Sequence, residues 1–202
     1  MLIQLEESQL ILVDYSADQI TSIPNSTQAL NAALALCEIA KLLNVPVWGA
    51  EQANSNNNNA MHVNLRTNCQ KVVSKTSFDA CEHGLLEFFK SPIKQAPQGN
   101  AKSLPKHLQK QEASVEKMKL VIAGFETHLS VLQTALSLSE QEFDVCLVTD
   151  ACAAVKSHNH DAALDRLAGA GVELVTLEMV VFEWLESSNH PLFEKAMQII
   201  GR

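Results

Sequence analysis

Short strand-like runs alternate with helical patterns along most of this sequence, and that alternation constrains the fold more than any other feature. The runs lie at 10–13, 45–50, 71–73, 120–124, 145–148 and 172–176, and each has the length of a buried strand. The segments 26–43, 127–141 and 160–170 carry apolar residues at helical spacing. The alternation predicts an α/β protein with a parallel sheet and helices on both of its faces.

The composition agrees with a folded protein and disfavours some partners. Hydrophobic residues make up 47% of the chain and charged residues 19%, which is too apolar for a disordered chain. The sequence has no repeat and no change of composition, so we expect one domain over residues 1–202. Its 15 basic and 23 acidic residues give a net charge of −8, and the basic ones are scattered. Nucleic acid and membrane surfaces are therefore disfavoured, because both attract clustered Lys and Arg.

Several features predict a cytoplasmic protein. The sequence has no apolar run of the ~18–20 residues that a membrane span needs. Its first residues include Glu6 and Glu7 and lack the basic start of a secretory signal. The five cysteines are irregularly spaced without a C-x-x-C pair, which favours free thiols in a reducing compartment.

The remaining segments predict connections and further helices. We expect a loop at the Asn-rich 54–59, a connector at 91–106 and a polar helix over 105–117. Shorter helices are expected at 78–89, 178–187 and 190–200.

Known motifs are mostly absent. The sequence lacks a phosphate-binding G-x-x-x-x-G-K-[ST], a G-x-S-x-G elbow and an H-E-x-x-H metal motif. His158 and His160 could hold a metal, but two histidines in a loop before a helix are more often solvated or capping. No metal and no cofactor are expected.

Three polar residues follow different strands, at the edge where α/β proteins carry their sites. They are Asp14, Lys75 and, at the start of the 127–141 helix, Ser130. An acid, a lysine and a nucleophile at a helix start could together perform hydrolysis, with backbone amides forming an oxyanion hole. Position alone leaves a structural alternative open, in which the Asp and Ser cap helices and the Lys is solvated.

The sequence resembles the isochorismatase-like cysteine hydrolases from about Leu10 to Leu185. The resemblance is densest in VIAGFETHLSVLQTALSL, in VSKTSFDA and in LVTDACAAVKSHNHDAALDRLAGAGVELVTLEMVVFEWL. It is closer to small hydrolases of unknown substrate than to nicotinamidases, whose metal ligands have no counterpart in EQANSNNNNAMH. The resemblance implies a three-layer α/β/α sandwich with a six-stranded parallel sheet, a small-molecule substrate, no metal, and a homodimer or higher homo-oligomer.

The resemblance also implies site residues. Asp14 and Lys75 match two members of an Asp-Lys-Cys triad, and the cysteine position falls on Ser130. A cis peptide bond is implied between Phe125 and Glu126, turning the amides of Glu126 and Ser130 toward a reacting oxygen. We expect substrate contacts from Glu51, Gln52 and Thr127, together with Phe125 and Glu126 of the loop.

Ser130 is the main departure from the family pattern. A hydroxyl is much less acidic than a thiol and needs a well-placed base, and a carboxylate such as Asp14 is a poor one. The chain can therefore be a pseudoenzyme that still binds a ligand, a slow serine enzyme helped by His128, or an engineered Cys→Ser variant. Two further departures, Ser16 in place of Gln and Asp79 in the lysine motif, favour natural drift over engineering.

Two hypotheses about function follow. The first is a hydrolase-like protein for a small amide or ester, with weakened or lost catalysis. The alternative is a non-catalytic binding or assembly protein, whose apolar run 179–185 forms an oligomer interface or an ordinary core helix. A replacement nucleophile at Cys81 is disfavoured, because that residue lies in the helix after the lysine motif.

Overall fold

The computed structural model describes residues 2–53, 60–89 and 118–202. Across these ranges, six parallel strands form one sheet in the order β3-β2-β1-β4-β5-β6. The strands are β1 Ser8–Val13, β2 Val47–Gln52, β3 Lys71–Lys75, β4 Lys119–Gly124, β5 Asp144–Val148 and β6 Glu173–Val175. The direction of winding reverses between β1 and β4, which leaves a crevice at the carboxyl ends of these two strands.

Helices cover both faces of the sheet, which confirms the predicted three-layer fold. They are α1 Ala17–Ser22, α2 Ser26–Leu42, α3 Val63–Arg66, α4 Leu86–Phe89, α5 Leu132–Glu140, α6 Ser157–Gly169, α7 Leu177–Leu185 and α8 Phe193–Ile200. Within the described ranges, no helix combines the length and the apolar character needed to cross a membrane.

The two central strands, β1 and β4, are deeply buried in the core. Leu10 to Val13 of β1 and Leu120 to Ala123 of β4 are fully buried, as a strand covered by helices on both faces should be. Burying such side chains contributes ~1.5–3 kcal/mol each, before the conformational entropy of ordering them is subtracted. The polar residues that follow these strands are therefore attached to tightly packed, buried strands.

Gly124 allows β1 and β4 to approach closely at the crevice. It pairs with Val13, and a Cβ atom built on it would lie 2.4 Å from the carbonyl oxygen of Val13. The next residue, Phe125, donates its amide to that same oxygen at 3.1 Å. The close approach brings the segment after β4 against Asp14, which directly follows β1.

Two predicted helices differ from the structure. The helix expected over 78–89 is split into a 3₁₀ turn, Cys81–His83, and α4, because Gly84 between them adopts φ +94°. The helix expected over 127–141 begins with a π-helical turn, Thr127–Val131, and continues as α5. Periodicity did not indicate the short α1 and α3. The loop at 54–59, the connector at 91–106 and the helix at 105–117 lie outside the described residues.

Candidate active site

Asp14 is placed at the crevice by a backbone turn immediately after β1. Its φ of 54° lies in the left-handed region, which Asp tolerates better than most residues. Its amide donates to the carbonyl oxygen of Ala50 at 2.9 Å, and the residue is only 5% exposed. The turn directs a carboxylate with little solvent exposure toward the end of β3.

Lys75 is the last residue of β3 and is fully buried. Its Nζ atom donates to Asp14 Oδ2 at 2.8 Å, to Gln52 Oε1 at 2.9 Å and to Ser130 Oγ at 3.0 Å. An ammonium group has three N–H donors, so these three acceptors use all of them. A buried lysine is tolerated because it is paired with a carboxylate and hydrogen-bonded on its other sides.

Ser130 is held by the π-helical turn before α5 and is 2% exposed. π-helical turns are rare and occur frequently at functional sites. In the described part of the chain, the Ser130 hydroxyl forms one side-chain hydrogen bond, which it accepts from Lys75. The structure therefore brings Asp14, Lys75 and Ser130 together around a single nitrogen atom.

The expected cis peptide bond is not found. The bond between Phe125 and Glu126 is trans, and the chain turns instead through a left-handed Glu126 at φ 52°. The amide of Thr127 donates to Ala153 O at 3.2 Å, and that of Leu129 donates to Glu126 O at 2.8 Å. These two amides are already bonded, so they are not free to hold an oxyanion.

A small cavity of about 90 Å³ opens over Ser130. Of the residues expected at the site, Asp14, Gln52, Glu126 and Ser130 line it. The structure adds Ser16, Gln19, Phe78 and Leu129 to its wall. Sequence reasoning missed Gln19 because it lies on α1, whose six residues are too few to show a helical period.

Three residues expected to contact substrate lie outside this cavity. Glu51 precedes Gln52 on β2 and faces the other side of the strand, where it pairs with Arg66 and accepts the Met61 amide. Phe125 is fully buried, with its ring 4.6 Å from that of Tyr15. The structure thus places Glu51 and Phe125 outside the wall of this cavity.

Thr127, the third of these residues, also lies outside the cavity wall. It is fully buried, and its hydroxyl lies 3.1 Å from Ala153 O and 2.9 Å from His160 Nδ1. Thr127 therefore fastens the loop before Ser130 to α6. Burial lowers the pKa of His160, and the nearby Asp161 opposes that shift.

His128 does not approach Ser130. Its Nδ1 lies 3.3 Å from Glu126 Oε2, and its Nε2 lies 3.2 Å from the amide nitrogen of Asn159. Across the described residues, no histidine is recorded as a hydrogen-bond partner of Ser130. The arrangement gives no support to a serine mechanism assisted by His128.

Asp79 acts in the structure as a link between two segments of the site. Its carboxylate accepts the Cys81 amide at 2.8 Å and the Ser137 hydroxyl at 2.5 Å. Asp79 thus connects the turn after Lys75 with α5, which follows Ser130. Asp79 is not among the residues that line the cavity.

The native cysteines are poor nucleophiles. Burial raises the pKa of Cys37 to about 11 and those of Cys69, Cys146 and Cys152 to about 12. The pKa of Cys81 is raised further, by burial and by the nearby Asp79 carboxylate. A thiol needs a lowered pKa to react readily near neutral pH. Cys81 is therefore unsuited to replace the missing nucleophile.

No cluster of three or more His, Cys, Asp or Glu side chains with metal-binding geometry occurs among the residues that the structure describes. His160 bonds Thr127, and His158 is exposed at the start of α6. The pair therefore shows no converging ligand set.

The family model for the isochorismatase domain matches residues 8–179 of this chain. The chain belongs to the isochorismatase domain family. The match includes Asp14, Lys75 and Ser130, and it also spans the whole sheet.

One curated protein with local sequence similarity and two solved structures with a similar fold were also found. Isochorismatase family protein 2A of Dictyostelium discoideum is 37% identical over 81 residues, which cover 40% of this chain and 40% of that protein. The MAR1 ribonuclease of Caenorhabditis elegans superposes with a TM-score of 0.80 at 20% identity, covering 100% of this chain and 93% of that one. The YcaC gene product of Escherichia coli, an octameric hydrolase of unknown specificity, has a TM-score of 0.78 at 22% identity, with 98% and 90% covered.

Proposed function

We propose that this chain retains the small-molecule site of an amide- or ester-type hydrolase, and that Ser130 leaves its hydrolysis weak or absent. The observation that carries the proposal is the position of Lys75, whose ammonium group joins Asp14 and Ser130 at the floor of the cavity. Family membership and this geometry together support a hydrolase-like site.

The contacts of Ser130 would stabilise a negative charge on its side chain, but they offer no good base to remove the hydroxyl proton. The Lys75 ammonium would stabilise an anion on the side-chain atom, but it has no lone pair with which to take the proton. Asp14 Oδ2 already accepts a hydrogen bond from Lys75, and a carboxylate is a weak base toward a hydroxyl. The arrangement is therefore better suited to a thiolate than to a serine alkoxide.

With a thiol at this position, the same groups would support acyl transfer. The thiol proton passes to Asp14, and the sulfur attacks the substrate carbonyl carbon. The C–N or C–O bond then breaks, and the leaving nitrogen or oxygen takes the proton from Asp14, which returns to its carboxylate form. Water hydrolyses the acyl intermediate, which releases the acid and restores the thiol. Lys75 stabilises the thiolate throughout.

Turnover by matched variants tests the proposal. The native chain, Ser130→Cys and Ser130→Ala should be assayed against small primary amides and activated esters. We expect hydrolysis by Ser130→Cys that exceeds both the native chain and Ser130→Ala by at least about 10²-fold, since covalent catalysis needs an activated nucleophile. Native turnover that Ser130→Ala removes, at a rate equal to that of Ser130→Cys, would establish a serine enzyme and contradict the proposal.

A non-catalytic binding role remains the second candidate, and the cavity over Ser130 favours it. Ligand binding needs only the shape and polar groups of that cavity, which do not depend on a base for Ser130. If none of the variants hydrolyses any substrate while the native chain binds small amides, this second function is supported.

Self-association is a further part of the proposal. YcaC of E. coli is an octamer, and Leu2 and Met179 are apolar side chains that are 66% and 45% exposed here. Most of the apolar run 179–185 is core, since Val180, Val181 and Trp184 are buried. Light scattering coupled to size exclusion is expected to show a homo-oligomer, and a monomer at micromolar concentration would contradict this part.

Nucleic acid is not favoured as the substrate, despite the name of the C. elegans neighbour. The cavity is lined by the Asp14 and Glu126 carboxylates, and the chain carries a net charge of −8. Phosphate groups require clustered cationic donors. Lys75 has its N–H groups already occupied by protein acceptors.

A further inference from the structure

The cavity over Ser130 holds an excess of buried hydrogen-bond acceptors. Asp14 Oδ1, Gln19 Oε1 and Glu126 Oε2 are each buried without a hydrogen-bond partner, and all three residues line this cavity. In the described ranges, five buried side-chain nitrogen or oxygen atoms lack a hydrogen-bond partner, and these are three of them. Buried polar atoms in native proteins are nearly always paired, so three such acceptors on residues that line one cavity point to donors, from a ligand or from water, that complete their hydrogen bonds.

Asp14 gives the strongest part of this argument. The residue is 5% exposed, and Oδ2 accepts a hydrogen bond from Lys75 Nζ at 2.8 Å. The other oxygen, Oδ1, belongs to the same carboxylate at the cavity wall and has no protein donor. Leaving a buried carboxylate oxygen unpaired costs more than leaving a neutral one unpaired.

Glu126 adds a second carboxylate to the wall. Its Oε2 lies 3.3 Å from His128 Nδ1, which is an ion pair when the imidazole is protonated, but the two atoms lack the alignment of a hydrogen bond. The φ of 52° at Glu126 holds the side chain at the turn immediately before the π-helical segment that carries Ser130. The two carboxylates thus belong to opposite sides of the crevice, one after β1 and one after β4.

No cationic side chain in the described part of the site is free to bind an anionic ligand. Lys75 spends its N–H donors on Asp14, Gln52 and Ser130. Arg66 is bound to Glu51, outside the cavity wall. A substrate carboxylate would therefore meet acidic groups and no free cationic donor among the described lining residues.

We infer that the site selects small uncharged or cationic molecules that carry several N–H donors, and that Glu126 is the residue that sets this preference. The inference rests on the proposed function for the location of the substrate site. A cavity of about 90 Å³ is small beside the ~300–1,000 Å³ of pockets for drug-sized ligands, so the bound group has few heavy atoms. Amides and amidinium groups meet these conditions, because they present N–H donors to carboxylate oxygens.

Binding of three isosteric probes tests the inference without any need for turnover. Acetamidinium, acetamide and acetate have nearly the same shape but are positive, uncharged and negative. Their affinities for the native chain should be measured by ligand-detected NMR in an acetate-free buffer. We expect acetamidinium to bind most tightly, acetamide more weakly and acetate not at all. Acetate binding as tight as that of acetamidinium, or no binding of any probe, would overturn the inference.

A matched pair of variants tests the role of Glu126. Glu126→Gln keeps the shape of the side chain and removes its charge, whereas Glu140→Gln makes the same change at an exposed position at the end of α5. We expect the first variant to weaken acetamidinium binding by about tenfold or more and the second to leave it unchanged. Equal effects of the two changes, with both proteins folded, would overturn the assignment.

The two proposals can fail separately. If Ser130→Cys hydrolyses nothing while the order of probe affinities holds, the hydrolytic proposal fails and the binding preference stands. If Ser130→Cys hydrolyses amides while acetate binds as tightly as acetamidinium, the preference fails and the hydrolytic proposal stands.

Discussion

Lys75 Nζ lies 3.0 Å from Ser130 Oγ and donates a hydrogen bond to it in a site from which solvent is almost excluded. The lysine comes from the end of β3 and the serine from the turn after β4, on either side of β1 and β2 in the sheet. Only the folded sheet can bring these residues together. Their contact makes the local electrostatics suitable for an anion on the side-chain atom of residue 130.

The first prediction concerns the buried ion pair between Lys75 and Asp14. Lys75→Met leaves the Asp14 carboxylate buried with no cation, and breaking such a pair from one side costs ~3–5 kcal/mol. We expect the free energy of unfolding in urea to fall by about that amount.

A double variant is the control for this prediction. Asp14→Asn combined with Lys75→Met removes both charges and keeps a residue that tolerates φ 54° at position 14. We expect the double variant to recover at least half of the loss. If Lys75→Met alone unfolds at the same urea concentration as the native chain, the pair does not stabilise the fold.

The second prediction concerns the close approach of β1 and β4. Gly124→Ala places a Cβ atom 2.4 Å from Val13 O, and the strain of overpacking is expected to cost ~1–3 kcal/mol or more. Gly169→Ala, at the end of α6, has open space around its Cβ and should be neutral or stabilising by up to ~1 kcal/mol. Equal midpoints of thermal unfolding for the two variants would contradict the packing described for the crevice.

The third prediction concerns pH and His160, whose pKa is lowered by burial. The folded chain holds this imidazole neutral, so only the unfolded chain takes up its proton as the pH falls through about 6.5. The stability contributed by the neutral form is therefore present above about pH 6.5. It is lost as the pH falls from there toward the lower pKa of the folded state.

Substitution of His160 should reduce the dependence of the unfolding free energy on pH. We expect His160→Asn to lose less unfolding free energy than the native chain between about pH 7.5 and about pH 5.5. His158→Asn, at an exposed position of the same helix, should keep the native slope. Identical slopes for the native chain and His160→Asn would show that His160 does not report on the packing of Thr127 against α6.

The sheet and most of its helices could be predicted from the sequence because their signals are local. A buried strand such as β4 is continuously apolar, and a long helix such as α2 repeats its pattern over several turns. The short α1 and the break at Gly84 could not be predicted, since six residues show no period and a positive φ has no signature of its own. Strand ends also located Asp14 and Lys75, because parallel strands end at one edge of the sheet.

The sequence predicted the wall of the cavity less well. Glu51 and Gln52 are neighbours on β2, and which of them faces Lys75 depends on the register of the strand. Thr127 was expected at the substrate, but it bonds a backbone carbonyl and a histidine on α6, which are both distant in the sequence. Family resemblance indicated the triad positions. That Lys75 donates to three acceptors, and that two carboxylate oxygens lack a hydrogen-bond donor, could be seen only in the structure.

The most direct test of the central claim is the thiol pKa of Ser130→Cys, measured as the pH dependence of its alkylation by iodoacetamide. The native cysteines have raised pKa values, so the native chain supplies a slow background. We expect a pKa below the ordinary 8.5, because the Lys75 ammonium stabilises the thiolate. A value at or above 8.5 would contradict the claim that this site is built to hold an anionic nucleophile.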